Sequence, residues 1–203
     1  MPRKVLSIFV IVFTLYGLFL VLKMYFADFL YKQSQSSNEY ELALAAKNLF
    51  PQNPHFLLQA ARLAAINNQQ AQAAVFIRLA LATSPSEINF YKLSSQIYTS
   101  MAVKKATYLQ DALKTLQKAK TLAPTDPVLP YQIANILSAI KNNKEAIIYY
   151  EKAIQLKPNY DNAMMRLAEV YIEQKNYSKT KELLDSAIKI NPQNKDKITI
   201  PQN

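Results

Sequence analysis

The sequence predicts an all-α chain in which one apolar N-terminal helix leads into a stack of helix–turn–helix hairpins. Three observations carry this: an uncharged run over residues 5–22, a single glycine, and prolines that recur at a fixed interval. Half of the 203 residues are hydrophobic, so a sizeable core is within reach of a chain this long. Gly17 lies inside the apolar run, where an ordinary protein would spread glycine at roughly 7%. Tight β-hairpin turns and phosphate-cradling loops are therefore disfavoured. The absence of cysteine rules out disulfides, thiolate metal sites and a cysteine nucleophile, and leaves the compartment open.

The N-terminal element comes first. Residues 5–22, VLSIFVIVFTLYGLFLVL, carry no charge, and eighteen helical residues span roughly 27 Å, close to the hydrocarbon thickness of a bilayer. Tyr25, Phe26, Phe29 and Tyr31 follow, interleaved with Lys23 and Lys32, as expected where a helix leaves the membrane. Residues 1–32 are read as a transmembrane anchor with its interfacial exit. A cleaved signal peptide is the rival, but the exit KMYFADFLYK lacks a small-x-small cleavage site. Arg3, Lys4 and the terminal amine face Lys23, Lys32 and Asp28, a narrow positive bias toward a cytoplasmic N-terminus. The expected location is the plasma membrane, single-pass, with residues 33–203 outside the cytoplasm and the opposite topology as the alternative.

The hairpins follow from the prolines. Pro51 and Pro85, Pro124 and Pro158, and Pro158 and Pro192 are each 34 residues apart, whereas Pro85 and Pro124 are 39 apart. Five residues before each stands an alanine: Ala46, Ala80, Ala119, Ala153 and Ala187. Seven earlier come Glu39, Ala73, Ala112, Ala146 and Thr180, small in four of the five cases. Proline ends a helix, and small residues at i and i+7 on one helix face let a neighbour approach closely. The expected elements are a lone helix at about 37–50 and hairpins at 54–85, 86–124, 127–158 and 161–192. Together they make a domain over 33–192, with 193–203 as a C-terminal tail. The five-residue excess falls near Thr99 to Thr107.

The segments LKPNYDNAMMRLAEVYIEQKNYSKTKELLDSAIKINP (156–192) and PVLPYQIANILSAIKNNKEAIIYYEKAIQLKP (127–158) resemble the tetratricopeptide repeat (TPR) family. The resemblance implies a right-handed TPR superhelix whose concave groove, lined by the first helix of each pair, binds a protein or peptide partner. A close-contact position often filled by glycine in the family carries Ala61, Ser94, Ala134 and Ala168. The arrangement of an apolar helix, then YFADFLYKQS, then LQDALKTLQKAKTLAPTDPVLPYQIA and LKPNYDNA, is similar to the C-terminal module of bacterial O-antigen ligase or polymerase-like membrane proteins. That likeness implies a place in the cell envelope near polysaccharide, without the membrane helices that carry such an enzyme's chemistry.

Groups for catalysis do not converge in the sequence. His55 stands alone without a carboxylate at i±3 or i±4, and Glu169 and Glu173 sit beside Arg166 and Lys175 as on an ordinary solvated face. Asn176-Tyr177-Ser178 matches a glycosylation acceptor but reads as a turn. No catalytic, cofactor or metal site is expected, and the chain is read as a scaffold, not an enzyme. The net charge of +10 is lysine-dominated, with 20 basic against 13 acidic residues after residue 32. Its densest stretch is Lys104, Lys105, Lys114, Lys118 and Lys120; without an arginine block or an RNA-type aromatic motif, no nucleic acid is expected.

The groove is expected to expose His55, Gln59 and Arg62; Tyr91, Lys92 and Ser95; Tyr131, Gln132 and Asn135; and Asn162, Met165, Arg166 and Glu169. Two other readings stand beside the scaffold. One is a tail or accessory subunit of an O-antigen ligase-like enzyme, which the reading frame upstream of Met1 discriminates. The other is a self-association module, because Leu183, Leu184, Ile188 and Ile190 cannot all face the preceding helix and leave apolar surface exposed or covered by Ile198 to Ile200. The charge bias makes a direct prediction: a reporter active only in the cytoplasm, fused after Asn203, stays silent. Strong activity would reverse the topology.

Overall fold

The computed structural model describes residues 3–195, so the Ile198 to Ile200 segment lies outside the described residues. Ten α-helices, and no strand among the described residues, make up the chain. They are α1 Arg3–Ser37, α2 Tyr40–Leu49, α3 Pro54–Ile66, α4 Gln70–Thr83, α5 Ile88–Met101, α6 Tyr108–Leu122, α7 Val128–Ala139, α8 Asn143–Leu156, α9 Asp161–Glu173 and α10 Tyr177–Ile190, with a short 3₁₀ turn at Pro192–Asn194. The chain divides into two compact units, Met1–Phe90 and Tyr91–Asn203, the division falling within α5.

One device ends five of these helices. Phe50, Ser84, Ala123, Lys157 and Asn191 each precede a proline and adopt φ between −134° and −142°, outside the helical region. The proline ring forces its predecessor toward extended backbone, so the helix stops one residue early. Ala46, Ala80, Ala119, Ala153 and Ala187 are all fully buried, as are Ala73, Ala112, Ala146 and Thr180. Glu39 is exposed instead, because α2 begins only at Tyr40.

Within a regular hairpin the two helices are joined by three residues, the middle one left-handed: Asn68 at φ 64°, Lys141 at 62° and Lys175 at 57°. Around it the backbone closes a Schellman arrangement, with Lys141 N–H bonded to Ser138 O at 2.9 Å and Asn142 N–H to Leu137 O at 2.9 Å. Asn142 and Asn176 then cap the next helix by accepting from Glu145 N–H and Lys179 N–H. Thus Asn176, the acceptor-pattern residue, serves as a cap. The enlarged repeat lacks this turn. Its connection runs over residues 102–107, and the Tyr98 and Tyr108 rings stack at 6.1 Å beside it.

In the first unit, the helix expected to stand alone has a partner. α1 continues past the end of the apolar run; its last turns pack against α2 and α3 through Ala27, Leu30, Ala46 and Phe56, with Tyr31, Leu42, Ala45, Leu49 and Phe50 around them. Ala27 precedes Ala61 by 34 residues and is fully buried. Buried Ser34 donates to Tyr31 O at 2.7 Å and accepts from Gln59 Nε2 at 3.2 Å, tying α1 to α3. The helix ends where Asn38 turns to φ 57° and its side-chain oxygen accepts from Arg62 Nη2 at 3.0 Å. A boundary at 32/33 therefore cuts through one hairpin.

In the second unit, the last hairpin closes on itself. Leu184 is buried with Met164, Met165, Ala168 and Ala187, and Leu183 and Ile154 pack partly against them. The four apolar residues do not all face the preceding helix: Leu184 is buried, Leu183 and Ile188 are half-buried, and Ile190 is exposed. Asn191 and buried Asn194 both donate to Asp161 Oδ2, at 3.1 and 3.0 Å, and so seal the end of α10 onto the start of α9.

A non-glycine residue held left-handed costs about 1 kcal/mol. Lys175→Gly relieves this at a site where the side chain is exposed, and a gain of about 1 kcal/mol is expected in denaturant unfolding of the solubilised chain. A loss of stability would show that the turn is not strained.

Candidate functional site

Of the residues expected in the groove, the second unit brings several together. Ser95, Tyr131, Gln132 and Asn135 line a cleft of about 540 Å³ between α5 and α7, joined by Gln96, Thr99, Ser100, Val103 and Ile136. Every one of these side chains is uncharged. Tyr150 O–H donates to Asn135 Oδ1 at 2.7 Å, which fixes the amide and leaves its NH₂ end to donate elsewhere. Gln132 Oε1 is buried and accepts no hydrogen bond from the protein, an arrangement that favours an incoming donor. Ser95 is buried but still reaches the cleft, and Val103 is 89% exposed at its rim.

Tyrosines form the neighbouring wall. The Tyr131 ring lies 6.1 Å from Tyr150 and 5.0 Å from Tyr160. Arg166 donates to Glu169 at 2.8 Å beside Tyr131, so these two expected groove residues border the wall while remaining partly open to solvent. Asn162 is exposed nearby on α9. Lys92 is half-buried and paired with Asp126, whose other oxygen accepts from Val128 N–H at 2.9 Å. That pair spends the lysine on structure.

Four expected positions are not open surface. Gln59 is buried because its amide bonds Ser34 and accepts from Arg62 Nε at 3.2 Å. Tyr91 falls on the inward stripe of α5 with Ser94, Tyr98 and Met101, and Met165 is packed beneath α10 with Leu184; Ser95 is the fourth. In the first unit His55 is exposed and meets Phe90 edge-on at 5.0 Å, while Arg62 is occupied by Gln59 and Asn38. The carboxylates raised as an acid–base pair are separately engaged, Glu169 by Arg166 and Glu173 by Lys141 at 2.8 Å and Asn143 at 3.0 Å. Hydrogen bonds from these two partners hold Glu173 below the usual carboxylate range. Among the described residues no cluster of three or more histidine, cysteine, aspartate or glutamate side chains is placed to hold a metal.

Sequence reasoning missed Gln96, Thr99, Ser100 and Val103. They sit in the last two turns of α5 and just after it, where the 39-residue interval obscures the register. The signal available was the hydroxyl-rich run from Ser94 to Ser100.

Burial pushes the Tyr160 hydroxyl up to about 12, with Tyr131 adding to it, and burial raises Tyr150 too. The neutral phenol is thus favoured by folding. Its contribution is complete below the unfolded value of 10.0 and is lost as pH rises through the folded one. The expected result is a denaturation midpoint that falls between pH 10 and about 12 as tyrosinate absorbance appears, with a shallower fall in Tyr160→Phe. A midpoint flat across that window would contradict the buried wall.

A tetratricopeptide repeat family model matches residues 141–197 of the chain. The antiviral innate immune response effector IFIT1 of Macaca fascicularis is 26% identical over 168 residues, covering 72% of this chain and 34% of that protein; the human protein matches to the same extent. The chain thus spans about a third of the length of these relatives. Among solved structures, YrrB, described as a TPR protein with an unusual peptide-binding site, superposes with a TM-score of 0.62 at 19% identity over 84% of this chain and 85% of that one. MamA gives 0.65 at 15% identity over 80% and 95%. A human IFIT1 dimer with PPP-AAAA gives 0.55 at 23% identity over 82% and 40%. These likenesses agree with the helical hairpins described above: the fold is of the tetratricopeptide type.

Proposed function

We propose that this tetratricopeptide-type chain is a membrane-anchored scaffold that binds an extended segment of a protein partner in the α5–α7 cleft. The cleft carries the reading: it combines an uncharged lining, a buried acceptor at Gln132 without a protein donor, and an Asn135 amide locked by Tyr150. A peptide in extended form presents one N–H and one C=O per residue, and a paired amide acceptor and donor suit that alternation. YrrB, with its peptide-binding site, lends the reading support from a protein of the same fold.

The anchor is supported by exposure. From Ile8 to Leu22 all thirteen large apolar side chains are at least 40% exposed, an arrangement that water penalises and a bilayer does not. α1 is the one described helix long and apolar enough to cross a membrane. We place the hairpins outside the cytoplasm, from the charge bias at the two ends of the span.

Peptides selected on the immobilised chain and titrated by fluorescence anisotropy test the cleft. Tyr131→Ala with Asn135→Ala is expected to weaken binding by about tenfold or more with helicity unchanged. Because the lining is uncharged, salt should alter the affinity little. Equal loss from Lys114→Ala with Lys118→Ala, or steep salt dependence, would move the site to the basic outer face.

A further inference from the structure

The apolar run of α1 ends at Leu22, and the next turns of the same helix form one wall of a second cleft, about 540 Å³ in volume, in the first unit. Tyr25, Asp28 and Tyr31 line it from α1, and Phe50, His55 and Phe56 line it from the other side. Tyr31 and Phe56 lie 5.2 Å apart between ring centres, and Phe50 and Phe56 6.5 Å, and these rings line the same cleft as the Asp28 carboxylate. Lys23 Nζ stands 5.0 Å from the centre of the Phe50 ring, which shows that this face accepts a cation. Asp28 is paired with Lys32 at 2.7 Å, but the lysine is 71% exposed, and a pair so open to water is weak enough to be exchanged.

The depth of this cleft follows from the helix itself. At 1.5 Å per residue, Tyr25 to Asp28 stand about 4 to 9 Å beyond Leu22. The polar layer of one leaflet is roughly 5–8 Å thick, so these residues lie at headgroup level when the apolar run fills the hydrocarbon. Moving outward, the protein presents an apolar surface, then Lys23, then Asp28. A zwitterionic phospholipid presents its acyl chains, its phosphate and then its ammonium in the same order, so each charge meets its opposite.

We propose that this cleft binds a phospholipid whose headgroup ends in an amine, with the phosphate toward Lys23 and the ammonium beside the Asp28 carboxylate and the Tyr31 ring. The proposal rests on the reading of α1 as a membrane span. An anionic lipid of the glycerol type satisfies Lys23 equally but meets Asp28 with no positive group, which is the basis of the discrimination.

Native mass spectrometry of the 203-residue chain, released from micelles with equal phosphatidylethanolamine and phosphatidylglycerol, provides the test. About fivefold preferential retention of phosphatidylethanolamine is expected. Asp28→Asn should bring the preference close to one, and Lys23→Ala should lower retention of both lipids, each with unchanged helicity. Equal retention by the unaltered chain overturns the proposal, as does a preference that survives Asp28→Asn or a lipid-free dimer, which would put a second copy in the cleft. Carbonate extraction of membranes separates the two levels. Chain found in the supernatant sinks the anchor and the lipid site together, whereas pelleted chain without lipid preference sinks the lipid site alone.

Discussion

A residue that precedes proline is pushed out of the helical region, and this steric fact sets the length of almost everything in the molecule. Because Phe50, Ser84, Ala123, Lys157 and Asn191 all leave the helix at the same φ, each second helix of a pair ends at an equivalent point. The alanine four residues earlier is then always placed where the neighbouring helix crosses, fully buried. Close crossing in turn sets which residues of α5 and α7 are left to line the cleft. A change at a proline would thus shift a register, not merely loosen a turn.

The regular hairpins were legible because proline and alanine act locally, through sterics that operate within a few residues of themselves. The first hairpin was not legible, although Ala27 stands one period before Ala61. Its first helix is continuous with the uncharged run over residues 5–22, and the uniform hydrophobicity of that run masks the small-residue pattern that begins just behind it. Groove exposure was only half legible. Tyr131, Gln132 and Asn135 were found from their register, but Gln59 is withdrawn into a hydrogen bond with Ser34, 25 residues away, and Met165 lies under Leu184. Such partners belong to the three-dimensional arrangement and leave no periodic trace.

The two clefts illustrate different uses of polar groups. Between α5 and α7, amides and hydroxyls lie beside apolar surface without formal charge, an environment suited to backbone recognition. At the base of α1, a carboxylate stands among aromatic rings and next to lysine, an environment suited to charged ends. The lysine-rich exterior is largely separate from both. Lys120, Lys157 and Lys179 lie over the rings of Tyr149, Tyr160 and Tyr171, so part of the positive charge is spent covering aromatic surface.

The continuity of α1 from the apolar run into the first hairpin has a mechanical consequence. No glycine or proline interrupts residues 18–37, so no such residue offers a hinge between the apolar run and the helices packed on the end of α1. In a bilayer such a helix is a lever: with about twenty residues between mid-span and hairpin, a tilt of roughly 20° swings the hairpin sideways by about 10 Å. On the proposed reading of α1 as a span, bilayer thickness, one of the terms that set tilt, would thereby bear on where the first hairpin reaches.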